Sequence, residues 1–150
     1  MAFEPDIIVT GPEPAEIALI AEIKTTSRSM DESERQLKTY MASVSSPLDL
    51  LVTTERLRIY RGQYLPSCES VIRVAELDVK DLFRFEKTNN ATADALGFER
   101  QIQSWLQMLS TESGVEQSTP ELRRAAQMYI VRALTRGSVR SGHPRIPKTA

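Results

Sequence analysis

The residues of this 150-residue chain best equipped for chemistry are Asp6, Glu22 and Lys24. Glu22 and Lys24 close the oily run Ile17-Ala18-Leu19-Ile20-Ala21, and Asp6 opens another, Ile7-Ile8-Val9. Side chains alternate along a strand, so Glu22 and Lys24 share a face with Ala18 and Ile20. If the two runs form a hairpin turning about residue 14, cross-strand partners have numbers summing to 28, and Glu22 stands opposite Asp6. Opposed residues have Cβ atoms about 4.5–5.5 Å apart, close enough for both carboxylates to touch one cation. Two such carboxylates repel, which raises a pKa or recruits a counter-ion. Lys24 neutralises them in part, and a divalent cation does so more fully. Hard oxygen ligands with positions left for water and phosphate suit Mg²⁺, with Mn²⁺ as a substitute, better than zinc or copper. Such an ion polarises a phosphoryl oxygen and acidifies water, while an adjacent ammonium orients that water or stabilises developing charge. Phosphodiester hydrolysis is the chemistry these residues fit. As a surface ion pair alone, Glu22 and Lys24 would contribute only ~0–1 kcal/mol, which gives stability little reason to place them on an apolar face.

These residues need elements to hold them. Asp6–Thr10 and Ile17–Lys24 read as strands, separated by the turn residues Gly11-Pro12-Glu13-Pro14. Their near-continuous apolar content implies cover on both faces and a central position in a sheet. Ser29 and Glu32 form a capping box that opens a helix with Leu37, Tyr40, Met41 and Val44 on one stripe, ending by Pro47. Asp49–Thr53 and Leu57–Arg61 read as two further strands, and the helix before them is a crossover that permits parallel pairing. An edge strand is expected over 69–74 and a short helix over 79–85. Two amphipathic helices follow within 94–136. One carries Phe98, Ile102, Trp105, Leu106 and Leu109; the other has Thr119 as N-cap, Pro120 at its first turn, and the stripe Leu122, Ala126, Tyr129, Ile130, Ala133. The expected fold is therefore α/β: a mixed central sheet flanked by helices, forming one domain over 1–137 with a mobile tail over 138–150.

Pro5-Asp6 followed by Glu22-Ile23-Lys24 resembles the PD-(D/E)xK motif of restriction-endonuclease-like nucleases. Gln36-Leu37-Lys38-Thr39-Tyr40 adds the Q-x-x-x-Y element of a subset. With the strand pair over 49–61, the region 4–62 is similar to the N-terminal nuclease domain of type I restriction enzyme motor subunits. The resemblance implies Asp6 and Glu22 as Mg²⁺ ligands and Lys24 as assistant to the nucleophilic water. It places Gln36 and Tyr40 beside the site on the helix, contacting the catalytic strand or the DNA backbone. DNA is the implied substrate, in a restriction or defence setting. The family core begins with a helix ahead of the strand that starts at the Asp, and only five residues precede Asp6. The expectation is that the chain is a truncated piece, or that the helix over 119–136 or a partner subunit covers the same sheet face. A nuclease-like fold kept for binding DNA or protein without catalysis is the alternative reading, and a homodimer through the last two helices is a further one.

Bulk composition narrows the classes. The formal net charge is −1, so nucleic-acid contact must come from a local patch. Residues 119–150 hold seven Lys/Arg against one acid, and residues 1–118 hold twelve against nineteen. One cysteine, Cys68, and one histidine, His143, exclude an internal disulfide and a Cys/His zinc cluster. Neither is assigned a catalytic role. With no long apolar run and no basic, apolar leader, a cytoplasmic location without membrane partners is expected.

Overall fold

The computed structural model describes residues 6–11, 17–26, 30–44, 46–62, 71–109, 119–134 and 138–141. Strands β1 (Ile7–Thr10) and β2 (Ile17–Ile23) are followed by helix α1 (Met30–Val44), strands β3 (Leu48–Val52), β4 (Arg56–Arg61) and β5 (Ile72–Asp78), and helix α2 (Ala91–Leu109). A last helical run, α3, joins Pro120–Ala125, a π-helical turn Ala126–Ile130, and Val131–Leu134; strand β6 (Ser138–Ser141) closes the chain of elements. The sheet order is β5-β4-β3-β2-β1-β6. β2 and β3 are parallel through the α1 crossover, and the other neighbours are antiparallel. The fold is α/β, with a mixed sheet between two helical layers.

Alternation along the strands sends two sets of side chains to opposite faces. Ile7, Val9, Leu19, Ala21, Leu50, Val52, Leu57 and Ile59 meet α2 and α3 in the larger core. Ile20, Leu51 and Tyr60 meet Met30, Leu37 and Met41 of α1 in a smaller one. The α1 face also takes the buried carboxylates of Glu22 and Asp49.

Several expectations are corrected. The segment 79–85 is a turn rather than a helix, with Val79 and Phe83 buried and Leu82 N–H bonded to Val79 O. Phe83 is held edge-on against Phe98 and Trp105, so packing overrides the local helical pattern. The edge strand begins at Ile72 and runs to Asp78, later than 69–74. The tail expected over 138–150 starts instead as β6, which extends the sheet by pairing with all of β1. Ser27, Ser29, Cys68, His143 and residues 142–150 lie outside the described residues.

In α3 the N-cap is as expected: Thr119 Oγ1 accepts from Leu122 N–H, with Pro120 in the first turn. The stripe is not. Leu122, Ala126, Ile130 and Leu134 are buried, four residues apart each time, while Tyr129 and Ala133 are only half-buried. Three α-turns take about 11 residues, so a twelve-residue span leaves roughly one over, and a π-turn absorbs one extra residue.

Gly62, after β4, lies against the α1–β3 connection. Its N–H donates to Pro47 O, and a Cβ there would stand 2.6 Å from Ser46 O. That oxygen belongs to the backbone and cannot swing aside. Gly62→Ala should therefore destabilise the fold by ~1–3 kcal/mol, read as a lower urea midpoint with an unchanged slope; a midpoint equal to wild type would show that the connection yields.

Candidate functional site

The hairpin has the register expected from its sequence: Ile7 pairs with Ala21, Ile8 with Ile20 and Val9 with Leu19. Between Val9 and Thr10 it shifts, and Thr10 pairs with Ile17. This bulge sends both Ala18 and Leu19 to the larger core and Ile17 to the α1 side, so Ala18 does not share the Glu22 face as plain alternation requires. Beyond the bulge the alternation holds, and Glu22 lies on the face of Ile20.

Asp6 stands one residue before β1, and its N–H donates to Ala21 O rather than continuing the ladder. Lys24 N–H points the other way, to Val52 O of β3. The intervening N–H of Ile23 faces the β1 side beyond the end of that strand, and Asp6 Oδ2 accepts it at 2.7 Å. A side chain thus satisfies a backbone donor that β1 leaves unmatched. The same bond anchors the Asp6 carboxylate beside Glu22.

Glu22 is 5% exposed. Its Oε1 lies 3.6 Å from Lys24 Nζ, and its Oε2 is buried without a hydrogen-bond partner. Burial, and then the adjacent Asp6 carboxylate, push its pKa up to about 9; Lys24 opposes the rise. Glu22 therefore carries a proton at neutral pH when no cation is present. The Lys24 side chain is 43% exposed and links the buried acid to solvent.

Across the sheet from Glu22 run Leu51, Arg58 and Glu76, paired in turn on β3, β4 and β5. Arg58 pairs with Asp31 and Glu34 of α1 and with Glu76, and Arg73 joins Glu34 and Glu76. The Arg58 guanidinium holds Glu76 below the usual carboxylate range. This network fastens one flank of α1 to β4 and β5. At about 100° per residue, Gln36 and Tyr40 fall on the opposite flank, toward β2. Gln36 is exposed, and Tyr40 is half-buried at the rim of the smaller core. Ile23 N–H bonds the Asp6 carboxylate and Lys24 pairs with Glu22.

Asp49 opens the strand expected over 49–53. It is fully buried between Ile20 and Tyr60 on the same face, its Oδ1 accepting from Ser46 Oγ at 2.6 Å and its Oδ2 unmatched. Burial raises its pKa well above the usual value. No signal in the segment itself marks this, because α1 and two neighbouring strands create the burial.

The donor set fits a hard cation: two carboxylates, one with an orphaned buried oxygen. Among the described residues no third His, Cys, Asp or Glu joins them. Mg²⁺ commonly takes one or two carboxylates and keeps water and phosphate in its other positions. Compared with protein-family models, curated proteins and solved structures, the chain matches none.

A carboxyl whose folded pKa is raised from 4.5 to about 9 binds more protons in the folded than in the unfolded state, so its contribution is fully present below pH 4.5 and is lost as pH rises toward 9. Glu22→Gln removes this loss. Melting at pH 8 should rise by a few degrees over wild type, with the gap narrowing at pH 5; a variant less stable at both pH values would contradict the burial argument.

Proposed function

We propose that this chain is a Mg²⁺-dependent DNA endonuclease module of the PD-(D/E)xK class. The observation that carries the reading is the buried Glu22 carboxylate, one oxygen unmatched, set beside Asp6 and 3.6 Å from Lys24. A carboxylate so placed is unfavourable unless protonated or partnered, and a functional site is where such a cost is retained. Asp6 and Glu22 would hold the ion. When bound, Mg²⁺ supplies positive charge that polarises a phosphoryl oxygen and acidifies water.

The remaining steps belong to the chain's own groups. Glu22 must surrender its proton to accept a cation, so uptake is coupled to proton release. Asp6, tied to Ile23 N–H, keeps its carboxylate oriented before and after. Lys24, already half in solvent, is positioned to orient the attacking water and to offset charge developing on the phosphodiester. Gln36 and Tyr40, on the flank of α1 toward β2, would meet the DNA backbone rather than the reacting atoms. The restriction or defence setting rests on the resemblance of the motifs. The family's opening helix has no counterpart among the described elements, since α2 and α3 both cover the face opposite the acid pair.

That two carboxylates converge without a third ligating side chain among the described residues favours one second reading, a nuclease-like module that binds DNA or protein without cutting. Cleavage assays separate the two. Wild type should cut DNA with Mg²⁺ or Mn²⁺, and Lys24→Ala and Asp6→Asn should each lose about 10²-fold or more; Asn retains an acceptor for Ile23 N–H, so the fold is preserved. Equal cutting by both variants removes the site. In calorimetry, Mg²⁺ affinity should rise about tenfold per pH unit until about pH 9, one proton leaving per ion. Absence of uptake at any pH leaves the binding module.

A further inference from the structure

The π-turn of α3 creates a feature that the acid pair does not use. By holding Ile130 and Leu134 in line with Leu122 and Ala126, it leaves Met128 outside at 62% exposure, the most exposed large hydrophobic side chain among the described residues. Met128 and the half-buried Tyr129 form a ridge between two clefts. One, of about 620 Å³, sets the apolar Ile17, Leu48 and Ala133 among Arg61 and Arg132. The other, of about 300 Å³, is lined by Leu77 and Ala125, with Arg124 and Glu121. The larger cleft opens at the start of β2, some five residues, or ~17 Å, from Glu22.

We propose that this surface docks an acidic amphipathic helical segment of a partner protein. Two clefts that share a Met–Tyr ridge, with apolar side chains set among arginines, make an amphipathic surface that a helix can fill with anchors on successive turns. Methionine suits such a surface because its unbranched side chain adapts to the anchor it meets. Arg61, Arg124 and Arg132, against Glu121, select an acidic polar face. A second copy docking through the same patch would set the arginines against one another, which disfavours a two-fold self-contact. Single-stranded nucleic acid favours aromatic platforms, whereas here Tyr129 is the one aromatic side chain among aliphatic ones.

Three fluorescein-labelled probes test this by anisotropy on the full chain: a 16-residue helical peptide with Leu and Trp on one face and Glu on the other, the same peptide with Lys for Glu, and (dT)16. The acidic peptide should bind saturably, about tenfold or more tighter than the basic one, and progressively weaker with salt. Amide shifts on titration should centre on Met128, Tyr129 and Arg132. Arg132→Glu and Met128→Ser, both at exposed positions, should keep the wild-type melting temperature and each weaken binding by about tenfold. No saturation by the acidic peptide, equal binding of both peptides, shifts centred elsewhere, or preference for (dT)16 would each overturn the proposal.

Discussion

A carboxylate buried in the middle of a sheet is the constraint around which this molecule is arranged. Glu22 lies between β1 and β3 and under the α1 layer, where the charged form is poorly solvated and a neighbouring acid makes it worse. Three groups respond to it. Asp6 is fixed by a backbone N–H that strand pairing would otherwise leave unmatched, Lys24 approaches from the solvent side, and a proton completes the balance at neutral pH. No donor of another residue reaches Oε2. On the proposed reading, a hard cation replaces the proton and makes use of that oxygen, so the arrangement that lowers stability is the one that confers function.

The two faces of the sheet divide the labour. The face under α2 and α3 supplies most of the apolar core, including the edge-on cluster of Phe83, Phe85, Phe98 and Trp105. The α1 face has a smaller apolar centre and carries the ionisable groups: Glu22 and Asp49 buried, with Arg58 and its carboxylates along one flank. Stability concentrated on one face permits unfavourable burial on the other.

Local pattern made the acid pair legible, because a hairpin joins neighbouring segments and its turn residues set the register from within a few residues. Legibility stopped where a second interaction intervened. Ala18 was placed on the Glu22 face until the bulge at Val9/Thr10 turned it over. β6 was invisible because a four-residue strand of Ser, Val and Arg gains its pairing only from β1, more than 120 positions earlier. The burial of Asp49, first residue of the strand read over 49–53, was not legible, since nothing near it in sequence foretells Tyr60 beside it and α1 above. The spacing of Leu122, Ala126, Ile130 and Leu134 did contain the π-turn: a repeat of four cannot stay on one side of a helix with about 3.6 residues per turn.

Charge on the α1 face also constrains how a phosphodiester could arrive. Arg58 and Arg73 are engaged by Asp31, Glu34 and Glu76, so their charge is already balanced locally and the β4–β5 side presents carboxylates as much as cations. Lys24, half-exposed at the end of β2, faces the acid pair from the open side. On the proposed reading, the phosphate enters past Lys24 and the N-terminal end of α1, and it does so together with a divalent ion, because Asp6 and an ionised Glu22 would otherwise repel it at close range. Metal and substrate then bind cooperatively by electrostatics alone: each lowers the cost of bringing the other to the same two carboxylates.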